Sequence, residues 1–515
     1  MPKITLNGTE VEFEAGQTVI ELAKSQGLDI PHYCWHPALS VAASCRMCMV
    51  EVHGPGPKRI VTSCNTACVD GMMVVTESPQ IARARAGNLE ALLLNHPLDC
   101  PICDKAGECW LQDYTYEYGA AAGRNEFPRR KAQKRVHISE HVLLDQERCI
   151  LCTRCVRFLD DFCKRPELVV TGRGSHSVID IFPGHPVSSP YQGNLADICP
   201  VGALTLKSFR FQNRVWYLKG TDSVCPSCSR GCSVTLDVRD NDLNRVRPRT
   251  NLQVNGYFIC DEGRFGLLKR YRPEGRLEKV LARGKRMDLA TAADAIASKL
   301  QVLFGSNQKL LVAASPDCTN EELLLADLVF RGSASEGLVN LVYALPDKGE
   351  DDGILRTGEA AANRAGLEAL GYAGLDPDQL NARAGECAGL VLLGDGRGMP
   401  KKRPPLSIAL TILETTAAEA DFALPAFTVA EKDGTFTNCG GITQRVRRAL
   451  APPPSVPGEF AALLRIGSAL GVTDLPATPA AAFLSLGKRF GAAGLTLAAL
   501  PKDGIQLTDM ARRGS

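Results

Sequence analysis

Fifteen of the twenty cysteines in this 515-residue chain fall into four sets within its first 260 residues. Cys34, Cys45, Cys48 and Cys64 are spaced C-x10-C-x2-C-x15-C. His96, Cys100, Cys103 and Cys109 follow as H-x3-C-x2-C-x5-C, a histidine standing where a fourth thiol would be. Cys149, Cys152 and Cys155 form C-x2-C-x2-C, joined from afar by Cys199 of a Cys-Pro pair. Cys225, Cys228, Cys232 and Cys260 complete the series as C-x2-C-x3-C-x27-C. Thiolates suit soft metal centres, and short loops let several of them converge. A lone C-x2-C pair fits zinc as well as iron. Two runs of three cysteines, each with a distant fourth, fit iron–sulfur clusters instead. The chemistry implied is one-electron transfer.

Some ligand choices stay open on spacing alone. Cys68 lies four residues past Cys64 and competes with it. His32 and His36 flank Cys34, as in half of a Rieske site, but no second Cys-and-His pair supplies the other half, so both read as local hydrogen-bonding residues. His96 precedes a three-cysteine set that lacks a fourth ligand, which favours ligation. Exchanging a thiolate for a neutral imidazole removes negative charge, which favours the reduced state. Cys163 reads as a buried spare thiol.

The bulk composition sets limits. Hydrophobic residues make up 45%, charged residues 23%, and the net charge is +2, so nothing points to nucleic acid or an acidic substrate. The start, MPKITLNGTEVEF, has no signal-peptide core, and no uncharged apolar run reaches the length of a membrane span. Twenty cysteines without a secretory signal point to a reducing compartment and metal binding rather than disulfides. The basic stretch from Arg124 to Arg135 reads as a solvated linker, or else as a surface for an acidic subunit.

The elements that must carry the ligands can be read in turn. Ile4–Leu6 and Val11–Phe13 around Asn7-Gly8 predict a hairpin, and Thr18 to Glu21 a capping box opening a helix to about Ser25. A strand over Arg59–Thr62 leads to Cys64. Gln80 to Leu94 predicts a helix before His96. Leu310–Ala314, Leu338–Ala344 and Gly389–Leu393 predict buried strands, and Thr319 to Glu322 caps a helix to about Phe330, so the last part is an α/β, largely parallel sheet covered on both faces. Pro452 to Pro454 and Pro457 mark a late break.

Several of these phrases resemble known families. Residues 1–80 resemble a β-grasp [2Fe–2S] ferredoxin, with the wide first gap of hydrogenases and respiratory dehydrogenases. The ending Val61-Thr62-Ser63-Cys64 matches that family, which favours Cys64 over Cys68. The fourth set resembles the cluster domain that opens molybdopterin oxidoreductases, although Glu262 stands where those enzymes have lysine. Together the motifs resemble the large iron–sulfur (G) subunits of bacterial NADH–quinone oxidoreductase, respiratory complex I. The likeness continues weakly at Ala420 to Pro425 and Glu431 to Asn438.

The resemblance implies a multidomain α+β and α/β protein. Its parts would be a [2Fe–2S] ferredoxin-type domain at 1–80, a [4Fe–4S] segment with one histidine and three cysteines at 81–120, and a ferredoxin-type [4Fe–4S] module at 136–216. A pterin-oxidoreductase-type [4Fe–4S] domain at 217–272 and a truncated, degenerate pterin-oxidoreductase-like α/β domain at 273–515 would follow. It further implies one [2Fe–2S] and three [4Fe–4S] clusters, no molybdopterin and no catalytic residue of the chain's own. A flavin-bearing NADH-oxidising subunit would feed the chain, and further Fe–S subunits would lead to quinone. The location implied is the cytoplasmic face of a bacterial membrane, peripheral and held through partners. The alternative is the catalytic subunit of an NAD-linked formate dehydrogenase or related pterin enzyme. Such an enzyme would need a metal-ligating cysteine beside a histidine; Cys318, Cys387 and Cys439 are available, but no histidine follows His185. An iron-only hydrogenase would need adjacent cysteines, and the chain has no Cys-Cys pair.

Overall fold

The computed structural model describes residues 1–53, 58–345, 349–394, 400–490 and 494–506. The chain divides into two compact units, Met1–Leu218 and Lys219–Ser515.

The first unit begins with a five-stranded sheet in the order Thr9–Glu12, Lys3–Leu6, Met73–Val75, Met49–His53, Arg59–Thr62. Asn7 and Gly8 both take positive φ (50° and 86°), the twist that a two-residue hairpin turn needs. Helix Val19–Ser25 opens with the reciprocal Thr18–Glu21 capping box and buries Val19, Ile20, Leu22 and Ala23. Trp35, Cys48 and Cys64 lie in the same apolar core as Ile4, Leu6 and Val50. The first thiol set is thus built into the packing rather than hung from a surface loop.

Helix Pro79–Leu93 has Ser78 as N-cap and proline at its first position. Helix Trp110–Tyr118 starts directly after Cys109. An antiparallel sheet of Leu204–Leu206, Val142–Leu144 and Val136–His137 follows in space. Helix Asn194–Ile198 ends at Cys199, whose proline neighbour stops it. The basic stretch is tied to its own unit. Arg124 pairs with Glu90, and Lys134 Nζ lies 2.6 Å from Asp99 and 2.7 Å from Glu147.

The second unit opens with an antiparallel sheet of Lys219–Val224, Ser233–Arg239 and Asp242–Pro248. Its main body is an eight-stranded sheet. The central run, Ala373–Leu375, Val339–Ala344, Leu310–Ala314, Gly389–Leu393, Leu406–Thr411, Phe422–Pro425, is parallel throughout. Counted along the chain this is strand order 3-2-1-4-5-6, the doubly wound arrangement, with its reversal between Leu310–Ala314 and Gly389–Leu393. Alternate residues of Leu310–Ala314 enter two separate cores: Leu310, Val312 and Ala314 one, Leu311 and Ala313 the other. Both faces are therefore covered, as a parallel sheet requires.

Polar groups are also sealed inside this unit. Lys432 Nζ lies 3.0 Å from Glu322 and 2.6 Å from Glu459, all three buried. Glu321, buried beside them, accepts from Thr435 N at 2.7 Å and Thr435 Oγ1 at 2.8 Å. Desolvation pushes the Glu321 carboxyl up to about 8. The folded state then holds a proton that the unfolded chain releases, so stability falls as pH rises from about 4.5 toward 8. Glu321→Gln is expected to remove this contribution, roughly 1.4 kcal/mol per pH unit inside that window. Thermal unfolding of both proteins at several pH values checks it; parallel pH profiles would contradict the assignment.

Candidate metal centres

In the first set the four thiols form a continuous chain. The Cys34 thiol is within hydrogen-bond reach of Cys45 and Cys64, and Cys64 of Cys48. Hydrogen bonds from neighbouring thiols hold Cys34 well below the usual range and Cys48 at about 7, while Cys45 and Cys64 are pushed up as donors. Such a group gives up protons readily when a cation replaces them. Ala43 and Arg46, at φ 50° and 57°, curl the loop around Cys45. Tyr33 N donates to Cys45 Sγ at 3.4 Å. Cys68 is placed differently: burial, then the Glu21 carboxylate, pushes its thiol up to about 11, and no other thiol acts on it. His32 Nδ1 bonds Ile30 O at 2.7 Å and His36 Nδ1 accepts from Ala38 N at 3.1 Å, so both histidines make local backbone contacts.

The second set is the most open. Cys100 is exposed while Cys103 and Cys109 are buried. His96 and Cys100 share the wall of one cavity; Cys103 and Cys109 do not line it. Burial, then Arg148, lowers His96 to about 4, which keeps the imidazole neutral and fit to coordinate. The Arg148 guanidinium is the largest electrostatic neighbour of the Cys103 thiol, and it bonds Asp99 Oδ2 at 2.9 Å. A Cβ on Gly202 would collide with Cys103 Sγ, so only glycine leaves that sulfur room. Trp110 N donates to Pro200 O at 3.1 Å, fastening the residue after Cys109 to the residue after Cys199.

All four thiols of the third set line a single cavity whose other walls include Leu144, Ile179, Val201 and Leu204. Leu151 and Thr153, between the cysteines, adopt positive φ (53° and 57°), uncommon for residues that are not glycine. This strain turns the loop inward so that Leu151 N donates to Cys149 Sγ at 3.4 Å. Desolvation pushes Cys149 up to about 12 and Cys152 to about 11. Cys163 is buried at the end of the turn Phe158–Phe162.

The fourth set sits on a hairpin. Val224 pairs with Ser233, and Cys225 N donates to Cys232 O at 2.8 Å, closing the loop that carries Cys228. Gly263 N donates to Cys260 Sγ at 3.3 Å. A Cβ there would stand 3.1 Å from Cys225 Sγ and 3.4 Å from Cys260 Sγ. Desolvation raises Cys225 to about 12 and Cys260 to about 11. Glu262 is exposed beside this set. Of the three later cysteines, Cys318 is buried near Lys432, Cys387 is buried and Cys439 is exposed.

Among the described residues no three His, Cys, Asp or Glu side chains converge as a single bound ion would require. A polynuclear iron–sulfur cluster is judged by its donor set instead. The donor chemistry fits such clusters: soft thiols, backbone N–H groups aimed at sulfur, and glycines that leave the sulfurs room.

Comparison with known proteins agrees with this chemistry. Residues 2–79 match the 2Fe-2S iron-sulfur cluster binding domain, and 85–124 match the NADH-ubiquinone oxidoreductase-G iron-sulfur binding region. Residues 139–205 match the ferredoxin-like domain of NADH-quinone oxidoreductase subunit 3, and 218–272 the molybdopterin oxidoreductase Fe4S4 domain. The NADH-quinone oxidoreductase G subunit of Streptomyces coelicolor is 39% identical over 62% of this chain and 38% of its own length. The NADH-ubiquinone oxidoreductase 75 kDa subunit of Reclinomonas americana is 36% identical over 70% of this chain and 53% of its own. The iron–sulfur region is similar to the G subunits of NADH-quinone oxidoreductase. The chain spans about half or less of the length of those relatives. Among solved structures, an NAD+-reducing [NiFe]-hydrogenase in the H2-reduced state is 33% identical over 42% of this chain and 91% of that one, at a TM-score of 0.37.

The sequence motifs led to the thiols but not to Gly202, Gly263 or Arg148. The small residue after Cys199-Pro200-Val201 was the available signal for Gly202. Gly202→Ala is expected to displace Cys103 and cost about four iron atoms per chain, whereas Gly123→Ala, where a Cβ meets nothing within 4 Å, leaves the iron content unchanged. Iron analysis of anaerobically purified protein reads both. In the same assay with EPR, Cys64→Ser loses the [2Fe–2S] signal and Cys68→Ser keeps it.

Proposed function

We propose that this chain is an electron-relay subunit of an NADH–quinone oxidoreductase, taking electrons from a flavin-bearing NADH-oxidising subunit and passing them toward quinone, with ion translocation carried out by the complex. The observation that carries the reading is the series of four thiol sets, largely buried, three of them inside one compact unit. Cys34, Cys45, Cys48 and Cys64 would hold a [2Fe–2S] cluster. His96, Cys100, Cys103 and Cys109; Cys149, Cys152, Cys155 and Cys199; and Cys225, Cys228, Cys232 and Cys260 would each hold a [4Fe–4S] cluster. When bound, these centres accept and release single electrons.

The residues of the chain space, desolvate and tune. N–H groups of Tyr33, Leu151 and Gly263 donate to ligand sulfurs, which spreads negative charge and favours the reduced state. Apolar walls keep water away from the third set. No proton transfer or nucleophile is asked of the chain, in keeping with a pure carrier. No helix among the described residues is long and apolar enough to cross a membrane. Attachment would then run through further Fe–S subunits, at the cytoplasmic face of a bacterial membrane.

The test is metal content of anaerobically purified full-length protein. One [2Fe–2S] and three [4Fe–4S] centres give about fourteen iron atoms per chain, with neither molybdenum nor tungsten. Stoichiometric molybdenum or tungsten would overturn the relay reading in favour of a pterin enzyme.

A further inference from the structure

We propose that Arg154 is a charge hub for the first three thiol sets, and that its fixed positive charge raises the reduction potentials of the centres held by Cys34 and by Cys152 and Cys199. The inference rests on the relay reading above.

Arg154 is 3% exposed. Its Nη2 donates to Trp35 O, next to Cys34, and its Nη1 to Ile198 O at 3.4 Å, next to Cys199. Its guanidinium carbon stands 4.4 Å from the ring centroid of Trp110, next to Cys109. Arg154 itself precedes Cys155. One side chain therefore touches a neighbour of a ligand in each of three sets. His32 packs edge-on against both tryptophans, at 5.1 and 5.3 Å between ring centroids, and completes the packing.

What the guanidinium lacks is a counter-charge. Its Nε is buried with no hydrogen-bond partner, and no carboxylate pairs with Arg154 among the described residues. A buried arginine without an anion is strongly unfavourable, and arginine does not escape by losing its proton. The side chains with the strongest attraction for its charge are those of Cys152, Cys199 and Cys34. With thiolates ligating a metal centre, the missing negative charge is supplied from two sets at once. By the same attraction, Arg154 favours the state of each centre that holds one more electron.

A purely structural role is the competing reading, since cation–π contact and carbonyl bonds also rigidify the site. Arg157 shows what that role looks like. It is half-buried and bonds Cys34 O at 2.6 Å and Cys152 O at 3.1 Å, tying two sets together through their backbones. Charge and fork geometry separate in substitution: Lys keeps the charge, Met keeps neither, and Gln keeps one donor without charge.

The experiment is a redox titration of the full-length protein followed by EPR. The [2Fe–2S] signal reports the first set, and the [4Fe–4S] signal lost in Cys152→Ser identifies the third. Arg154→Met is expected to lower both potentials by roughly tenfold in the reduction equilibrium, the scale of one charge acting over about 10 Å at an effective dielectric near 20, or about 59 mV for one electron. Arg154→Lys is expected to stay near the unaltered protein. Should Arg154→Met lose iron, Arg154→Gln takes its place with the same expected fall. Equal shifts in the Lys and neutral variants, or no shift in either, would overturn the proposal. Absence of these two signals from the unaltered protein would instead overturn the relay reading beneath it.

Discussion

The constraint on which the rest of this molecule depends is the cost of gathering thiolates away from water. Desolvation is the largest influence on Cys149, Cys152, Cys155, Cys225, Cys232 and Cys260, and it pushes every one of them upward. Without metal these sulfurs keep their protons and the loops carry strain that little offsets, as at Leu151 and Thr153. Metal binding exchanges those protons for cationic centres and joins the stability of the loops to occupancy. The first set meets the constraint differently, by thiols hydrogen-bonding one another within a shared apolar core.

Positive charge is distributed to answer that constraint. Arg148 lies among Asp99, His96 and Cys103, where a carboxylate already partners it. Lys134 reinforces the same acidic group, so the basic stretch seen in the sequence, though mostly exposed, is anchored within its own unit at this point. Arg154 has no such partner and lies between sets rather than beside one. The contrast matters because a guanidinium neutralised by a carboxylate exerts a weaker field on a nearby centre than one left uncompensated.

Much of this was legible from residue types and spacing, for physical reasons. The Asn7-Gly8 hairpin and the Thr18–Glu21 and Thr319–Glu322 capping boxes are local devices, complete within a few residues, and they appear where the sequence indicates. The strands at Leu310–Ala314 and Gly389–Leu393 are continuous apolar runs because both faces are buried. Strand order was not legible, since it depends on pairings between distant segments. Nor was the role of Gly202, whose missing side chain matters only because Cys103 arrives from about a hundred positions earlier. Arg154 stands inside a recognisable cysteine motif, yet its importance comes from Trp35, Trp110 and Ile198, three residues widely separated in the chain.

The second unit keeps a doubly wound sheet and links the first residues beyond its strand-order reversal by close packing and buried polar contacts. In that strand order ligands bind beyond the carboxyl ends of the strands where the order reverses. Here those ends are Ala314 and Leu393, and Ser315 and Gly394, which directly follow them, pack together closely. A Cβ on Gly394, itself at φ 95°, would stand 2.6 Å from Ser315 Cβ. Lys432 lines a neighbouring cavity with Arg270 and Asp317, bonding Asp317 O at 3.4 Å and pairing with Glu322 and Glu459. A lysine held between two buried carboxylates is an unfavourable arrangement to assemble, and removing one partner alone would strand charge in the interior. Such a triad ties the loops around the reversal to one another. The hairpin of the fourth thiol set is held by a separate antiparallel hairpin, Gly434–Thr437 and Ile442–Val446, through Cys439 N donating to Ser229 O at 2.9 Å and Gln444 Nε2 donating to Gly231 O at 2.7 Å.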